Sequence, residues 1–390
     1  MDQRREFVTK ALTEGSSFSS LCDDYGVSRK TGYKWLDRYK EDRLTGLMER
    51  SRRPKSNSAG ICEDAFVAIF RLKNAHPKWG PKKIRELVAV AVGEERTPSV
   101  STIHRLLKKM GLVTKRRVRR PSSGRVQLKA RAGHPNAVWT VDFKGWWMSK
   151  DKERCTPLTI RDEYSKYIFC VQKMASTNTT AVRAVFERVF KEYGLPEVIR
   201  SDNGTPFATH TGFMGLSQLS VWWMSLGILP DRIDPGKPYQ NGGHERMHRD
   251  LKAEVQKLLD LSSNENQSAL EEWRRTYNEV RPHESLGMMT PASAYVSSPR
   301  KYVPHDELEY PEGMLRRKVG KSGDIKLEST KLKISTVFAG QHLGLKPITP
   351  ETFQVWMGEF PIGILDMNLR SFTTEGITAN SCLEPDPELT

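Results

Sequence analysis

The chain has 390 residues, 37% of them apolar, and a net charge of +15, so it can build packed cores in two to four domains and is not globally disordered. No apolar run approaches the roughly 20 residues of a membrane span, and no signal-peptide pattern opens the chain. Five scattered cysteines without a C-x-x-C pair exclude a disulfide or zinc framework and point to reduced thiols in a cytoplasmic protein.

The excess charge is local. Residues 51–133 carry 21 Lys/Arg against 5 Asp/Glu, while residues 1–50 and 134–390 are nearly neutral. A basic block on an otherwise neutral chain suits a polyanion such as DNA, whereas a solubilising face usually mixes both signs.

Two helix-turn-helix patterns open the chain. In FSSLCDDYGVSRKTGYKWLDRY (18–39) a short helix, a turn at Gly26-Val27 and a helix capped by Ser28 follow one another. Val27, Trp35 and Leu36 would face inward, leaving Arg29, Lys30, Thr31 and Lys34 on the face from which a recognition helix reads base edges. The second pattern joins WGPKKIREL (79–87) to PSVSTIHRLLKKMGL (98–112), with Pro81 suited to a first helical turn and Gly111 to a helix end. Ile103, Leu106, Leu107 and Met110 have core spacing; Ser101, Thr102, Arg105, Lys108 and Lys109 remain for phosphates or bases. Two linkers rich in Arg, Pro and Ser flank this module: 51–60, with Arg52 and Arg53, and 115–133, with Arg116, Arg117, Arg119 and Arg120. Such arms enter a minor groove or act as solvated tethers.

From residue 134 the pattern becomes α/β. VWTVDFKG (138–145), CTPLTIRD (155–162) and YIFCVQ (167–172) read as strands, and TAVRAVFERVFKEY (180–193) as an amphipathic helix stopped by Gly194-Leu195-Pro196. EVIRSDNG (197–204) is a further strand. After a Gly/Thr-rich stretch come a helix at 217–226, a short strand near 228–233, a long helix from the Gly-rich PYQNGGHE, and another helix near 266–280. Beyond Pro304, short alternating runs at 314–319, 331–335, 353–357 and 362–365 suggest a small β-barrel over 306–369, with 370–390 as a disordered tail.

Three acidic residues stand out: Asp142 and Asp202 at strand ends, and Glu245 at the start of the long helix. Carboxylates so placed can converge on hard divalent cations, which prefer oxygen ligands. At about 100° per residue, Glu245, Arg249, Lys252 and Gln256 share one face of their helix, and Met247, Leu251, Val255 and Leu258 another.

Four ordered motifs, HPNAVWTVDFKG (134–145), RSDNG (200–204), PYQNGGHE (238–245) and RPHESLG (281–287) followed by Thr290-Pro291, together resemble bacterial insertion-sequence transposases. The likeness spans about 134–295. It implies an α/β RNase H-like integrase-type core (134–300), and the two upstream all-α helix-turn-helix domains (1–50 and 61–114) fit it; with the C-terminal strands the chain reads as multidomain. It implies Asp142, Asp202 and Glu245 as ligands of two Mg²⁺ or Mn²⁺ ions, and Arg249 and Lys252 as contacts to the DNA end. The expected partner is double-stranded DNA, as element ends and as target, bound by a homodimer or higher oligomer, with no membrane. The expected reaction cuts at the element's terminal inverted repeats and joins the freed 3′-OH to target DNA, in the cytoplasm at the nucleoid. One departure is the 43 positions from Asp202 to Glu245, longer than the family's usual interval, with the excess expected between Ala208 and Leu219.

Two other readings compete. HERMH (244–248) matches the H-E-x-x-H zinc-protease motif, with Glu272 at a plausible distance for a third ligand, but leaves the aspartate motifs and the basic block unexplained. A DNA-binding regulator with an inert core would need no intact trio of carboxylates.

Overall fold

The computed structural model describes residues 2–13, 15, 17–49, 60–113, 130–209, 212–234, 236–304 and 308–374. Residues 1–62 and 63–390 form two compact units. No helix among the described residues is long and apolar enough to cross a membrane.

The first unit packs α1 (Asp2–Thr13), α2 (Phe18–Asp24) and α3 (Arg29–Gly46) around Phe7, Val8, Leu21, Cys22 and Leu36. Ser28 caps α3, its hydroxyl accepting from the Thr31 amide. Gly32 is required by packing: a Cβ there would lie 2.8 Å from the Phe7 ring and 2.9 Å from Cys22 Sγ. The sequence pattern lacked α1, because only the adjacent Phe7 and Val8 of that helix are fully buried and two neighbours make no helical stripe.

The second unit begins with α4 (Glu63–Ala75), α5 (Pro81–Val92) and α6 (Val100–Lys109). Ile69, Ile84, Val88, Ile103 and Leu107 are buried. Pro81 opens α5 and Ser99 caps α6. The sequence pattern also lacked α4, whose Phe66, Val67 and Phe70 are exposed and blur its periodicity.

A mixed sheet follows. Strands β1 (Val138–Phe143), β2 (Trp147–Met148), β3 (Arg154–Asp162) and β4 (Ile168–Met174) precede α7 (Thr179–Tyr193), β5 (Val198–Ser201), α8 (Gln218–Ser225) and β6 (Leu229–Arg232). β1 lies antiparallel to β3 and parallel to β5, β5 is parallel to β6, and β2 and β4 pair antiparallel with β3. Alternation along β1 sends Trp139 and Val141 to a core with Phe186 and Phe190 of α7 and Trp223 of α8. The opposite face receives α9 (Gly242–Leu258) and α10 (Ser263–Arg275), whose Met247, Leu251 and Leu270 pack on Trp147, Cys155, Ile168 and Val171. After α10 come a π-helical turn over Thr276–Val280 and the short α11 (Pro291–Ala294).

The C-terminal strands are β7 (Leu315–Lys318), β8 (Asp324–Leu327), β9 (Thr330–Lys333), β10 (His342–Pro347), β11 (Thr352–Met357), β12 (Phe360–Asp366) and β13 (Ser371–Thr373). They form a five-stranded sheet in the order β13-β12-β11-β10-β7 and a β8–β9 hairpin. Their core takes in Val221 and Met224 of α8, so sheet and catalytic core share apolar packing.

Several boundaries differ from the sequence reading. The tail expected from 370 contributes β13, which pairs with β12 and carries Phe372 onto Phe213; residues 375–390 lie outside the described residues. The linker expected to end at 133 is already tied to the core at Ala130, whose carbonyl accepts from Arg200 Nη2 at 2.6 Å. Arg52, Arg53, Arg116, Arg117, Arg119 and Arg120 lie outside the described residues. In the stretch between Ala208 and Leu219, where extra length was expected, Phe213 stacks on Phe372 at 5.3 Å and meets Phe338 edge-on at 5.7 Å. This segment therefore joins the mixed sheet's domain to the C-terminal strands.

Candidate active site

Asp142 is the fifth residue of β1, paired across the sheet with Thr159 of β3. Period-2 alternation places Thr140 and Asp142 on the face covered by α9. Asp202 follows β5 immediately, its Oδ1 accepting from the Gly204 amide at 3.1 Å. A Cβ on Gly204 would stand 3.2 Å from Asp202 Oδ2, which explains the glycine of RSDNG. Glu245 is exposed in the first turn of α9, where the helix dipole favours a carboxylate.

The start of α9 is held from below. Arg161, fully buried on β3, donates through Nη1 to the Gly243 carbonyl at 2.8 Å and pairs with Glu163. A side chain at Gly243 would come within 2.5 Å of Arg161 Nη2 and 2.8 Å of Glu163 Oε1, so this turn needs glycine.

Asp142 feels both of the other carboxylates. Burial pushes the Asp142 carboxyl up to about 7, the Asp202 carboxylate adds to the rise and Glu245 adds a smaller part; the Phe143 amide and Lys144 oppose it. Burial and the neighbouring Lys252 lower the Lys144 ammonium, which Asp142 partly restores. Lys252 and Arg249 are exposed on α9. Lys144, in plain view within VDFKG, was not singled out from the sequence; its position two residues after a strand-end aspartate was the available signal.

A second layer lies beneath. His244 is fully buried, with Nδ1 at 2.8 Å from Thr140 Oγ1 and Nε2 at 2.7 Å from Thr159 Oγ1. His248 Nε2 lies 2.8 Å from the same Thr159 oxygen, and its Nδ1 3.5 Å from Asp142 Oδ2. Burial holds both imidazoles neutral, driving His244 well below its usual value and His248 down to about 3. This answers the zinc-protease reading. Both nitrogens of His244 are engaged by threonines, so the pair is not free to grip one metal as H-E-x-x-H helices do.

Asp162 is a turn builder: its carboxylate accepts from the Asn136 amide at 2.9 Å and from the Ser165 amide and hydroxyl at 2.6 Å. In the RPHESLG segment, Arg281 pairs with Asp250 of α9 and Glu284 with Lys82 of α5 at 2.9 Å.

Of the residues expected to meet DNA, Arg29, Lys30 and Lys34 are exposed on α3, as are Ser101, Arg105 and Lys108 on α6. Thr31 and Thr102 are half-buried, and their hydroxyls are drawn into the caps, 2.9 Å from Ser28 Oγ and 3.0 Å from Ser99 Oγ.

Family models agree with this architecture. Integrase core domain models match residues 132–238 and 226–291, and homeodomain-like domain models match 1–47 and 31–107. An uncharacterized 39.2 kDa protein of insertion element IS476 from Xanthomonas euvesicatoria is 27% identical over 261 residues, covering 62% of this chain and 71% of that protein. A 31.7 kDa protein of insertion element IS407 from Burkholderia multivorans is 28% identical over 218 residues, covering 53% and 73%. The chain thus combines homeodomain-like helix-turn-helix domains with an integrase core domain and is similar to proteins of bacterial insertion elements. Among solved structures, the chain is similar to the HTLV-2 integrase catalytic core domain in complex with magnesium, at 20% identity over 42% of this chain and 99% of that one, with a TM-score of 0.33. The integrase core match and the insertion-element relatives support a DNA-binding polynucleotidyl transferase. The protease and inert-regulator readings are set aside.

Proposed function

We propose that Asp142, Asp202 and Glu245 are the catalytic residues of the transposase and hold two Mg²⁺ or Mn²⁺ ions. The reading is supported by the position of Asp142 at the end of β1, beside the start of α9, where Asp202 and, to a smaller degree, Glu245 oppose its ionisation. Oxygen donors that repel one another suit a hard cation, so the donor set fits the metal. When bound, such ions stabilise the attacking and leaving oxygens of an in-line phosphoryl transfer. The chain's own groups do the rest. Arg249 and Lys252, exposed on the α9 face that carries Glu245, hold phosphates of the element end. Lys144, beside Asp142 and Lys252, adds positive charge where the phosphodiester lies.

The exposed faces of α3 and α6 bind the terminal inverted repeats, with Arg29, Lys30, Lys34, Ser101, Arg105 and Lys108 toward DNA and Thr31 and Thr102 ordering the helix starts. Joining two ends at one target calls for two active sites, hence a dimer or higher oligomer on DNA. The C-terminal strands close into a small barrel, a reading supported by the β8–β9 hairpin lying against β7 and β13, the two edges of the five-stranded sheet. The deciding experiment incubates the protein with labelled element-end DNA, a plasmid target and Mg²⁺, then maps the products. Joined 3′ ends are expected; end binding without cleavage or joining would overturn the catalytic assignment.

A further inference from the structure

The HERMH helix turn holds a feature that the carboxylate trio does not use. Thr159 Oγ1 donates to the Asp142 carbonyl at 2.8 Å, and a hydroxyl has one hydrogen to give. Its contacts with His244 Nε2 and His248 Nε2 must then be N–H donors to the threonine oxygen. His244 is thereby complete, since its Nδ1 accepts from Thr140. His248 is not. With its hydrogen on Nε2, its Nδ1 bears a bare lone pair that faces Asp142 Oδ2 at 3.5 Å.

Two lone pairs facing one another repel unless something positive sits between them. A shared proton does not fit, because O–H···N hydrogen bonds need donor and acceptor within about 3 Å. A metal ion does: with metal–ligand bonds of about 2.0–2.2 Å, neighbouring ligand atoms stand roughly 3–3.5 Å apart. The other side of the ring is also built as metal-ligating histidines are, with the second nitrogen donating to a fixed oxygen that sets tautomer and orientation. His244 lies in the same cluster, with ligand atoms of Asp142, His244 and His248 within 4.8 Å of one another, but its occupied nitrogens make it a buttress.

We infer that His248 Nδ1 is a ligand of the metal ion held by Asp142, so that this position is a mixed oxygen–nitrogen site. The inference rests on the carboxylate reading above. Its consequence is selectivity: an imidazole donor favours transition metals over Mg²⁺, which strongly prefers oxygen. The site should take Mn²⁺ in preference to Mg²⁺ on the Asp142 side.

The test uses the full-length protein, Mn²⁺ as the probe, and pulsed electron paramagnetic resonance. Wild-type protein should show a single imidazole nitrogen coupled to bound Mn²⁺, changing to the ¹⁵N pattern when histidine is ¹⁵N-labelled. His248→Gln should lose that coupling and weaken Mn²⁺ binding by about tenfold or more, with Mg²⁺ binding much less affected. If Mn²⁺ binds the wild type and is lost in Asp142→Asn, yet shows no nitrogen coupling, ligation by His248 is wrong while the carboxylate site stands. If Asp142→Asn leaves Mn²⁺ binding intact, the carboxylate reading itself falls. The wild-type spectrum decides the matter even where the His248 variant folds poorly.

Discussion

The two faces of the central sheet are built from the same strands to opposite ends. Toward α7 and α8, β1 presents Trp139 and Val141 to an aromatic core in which Phe186 meets Trp223 at 5.1 Å and Phe169 meets Trp139 at 4.0 Å. Toward α9, one residue out of phase, it presents Thr140 and Asp142 to two histidines, a threonine and a buried arginine. The first face can be satisfied by any well-shaped apolar set. The second has to satisfy every buried donor and acceptor or lose more than an apolar core would. Stability is therefore concentrated on one side and chemistry on the other, and substitutions should separate them.

The largest separation is expected at the carboxylates. Asp142→Asn, Asp202→Asn or Glu245→Gln should each reduce Mg²⁺-dependent cleavage and joining by about 10³-fold or more, with binding to element ends retained. Strand-transfer assays alongside gel-shift titrations measure both; wild-type joining by any one variant removes that residue from the site. On the opposite face, Phe186→Ala should cost about 3–5 kcal/mol in urea unfolding, as for other buried aromatic truncations. Its loss of joining should follow the fraction unfolded, with near-normal turnover for folded molecules. A folded Phe186→Ala protein that binds ends but does not join them would erase the distinction between the faces.

Gly243 sits where the second face is tightest. Gly243→Ala would place a methyl against Arg161 Nη2, and Arg161 is pinned by its bond to the Gly243 carbonyl and its pairing with Glu163. Overpacking of this kind costs about 1–3 kcal/mol. Because the strain falls at the start of α9, kcat should drop more than the unfolding midpoint suggests. Steady-state kinetics beside urea unfolding would show it, and an unchanged kcat would mean that Arg161 yields without moving Glu245.

Much of this was legible in the sequence for a physical reason. Strand alternation, the helix stop at Gly194 and the Ser28 cap are local signals, and local signals place elements. The ordered motifs around Asp142, Asp202 and Glu245 are local too, which made the trio visible before any fold was known. The histidine network was not, since Thr140 and Thr159 lie far along the chain from His244 and His248 and neither threonine stands out alone. Only the register of β1 on β3, pairing Asp142 with Thr159, brings them under one helix. The role of the 208–219 stretch was hidden likewise, because Phe213 gains its meaning from Phe338 and Phe372, more than a hundred residues later. The tail was misjudged because β13 has three residues, too few for a periodic pattern, and is held by pairing with β12.

The smallest effect should come from outside both faces. Lys34 is exposed on α3, in the other compact unit. If it contacts a phosphate, Lys34→Gln should weaken end binding by about tenfold or less, uniformly across sequences, and reduce the salt slope of log Kd by about 1. If it reads a base, the loss should concentrate on one position of the terminal repeat and leave the slope nearly unchanged. Fluorescence anisotropy over a salt series, on cognate and scrambled ends, separates the two. Unfolding of the 63–390 unit should be unaltered in either case, because the substitution touches neither face of the sheet. A shift in that unfolding would mean that the recognition helix and the catalytic core are coupled, and that the division of labour between the two faces extends into the DNA-binding unit.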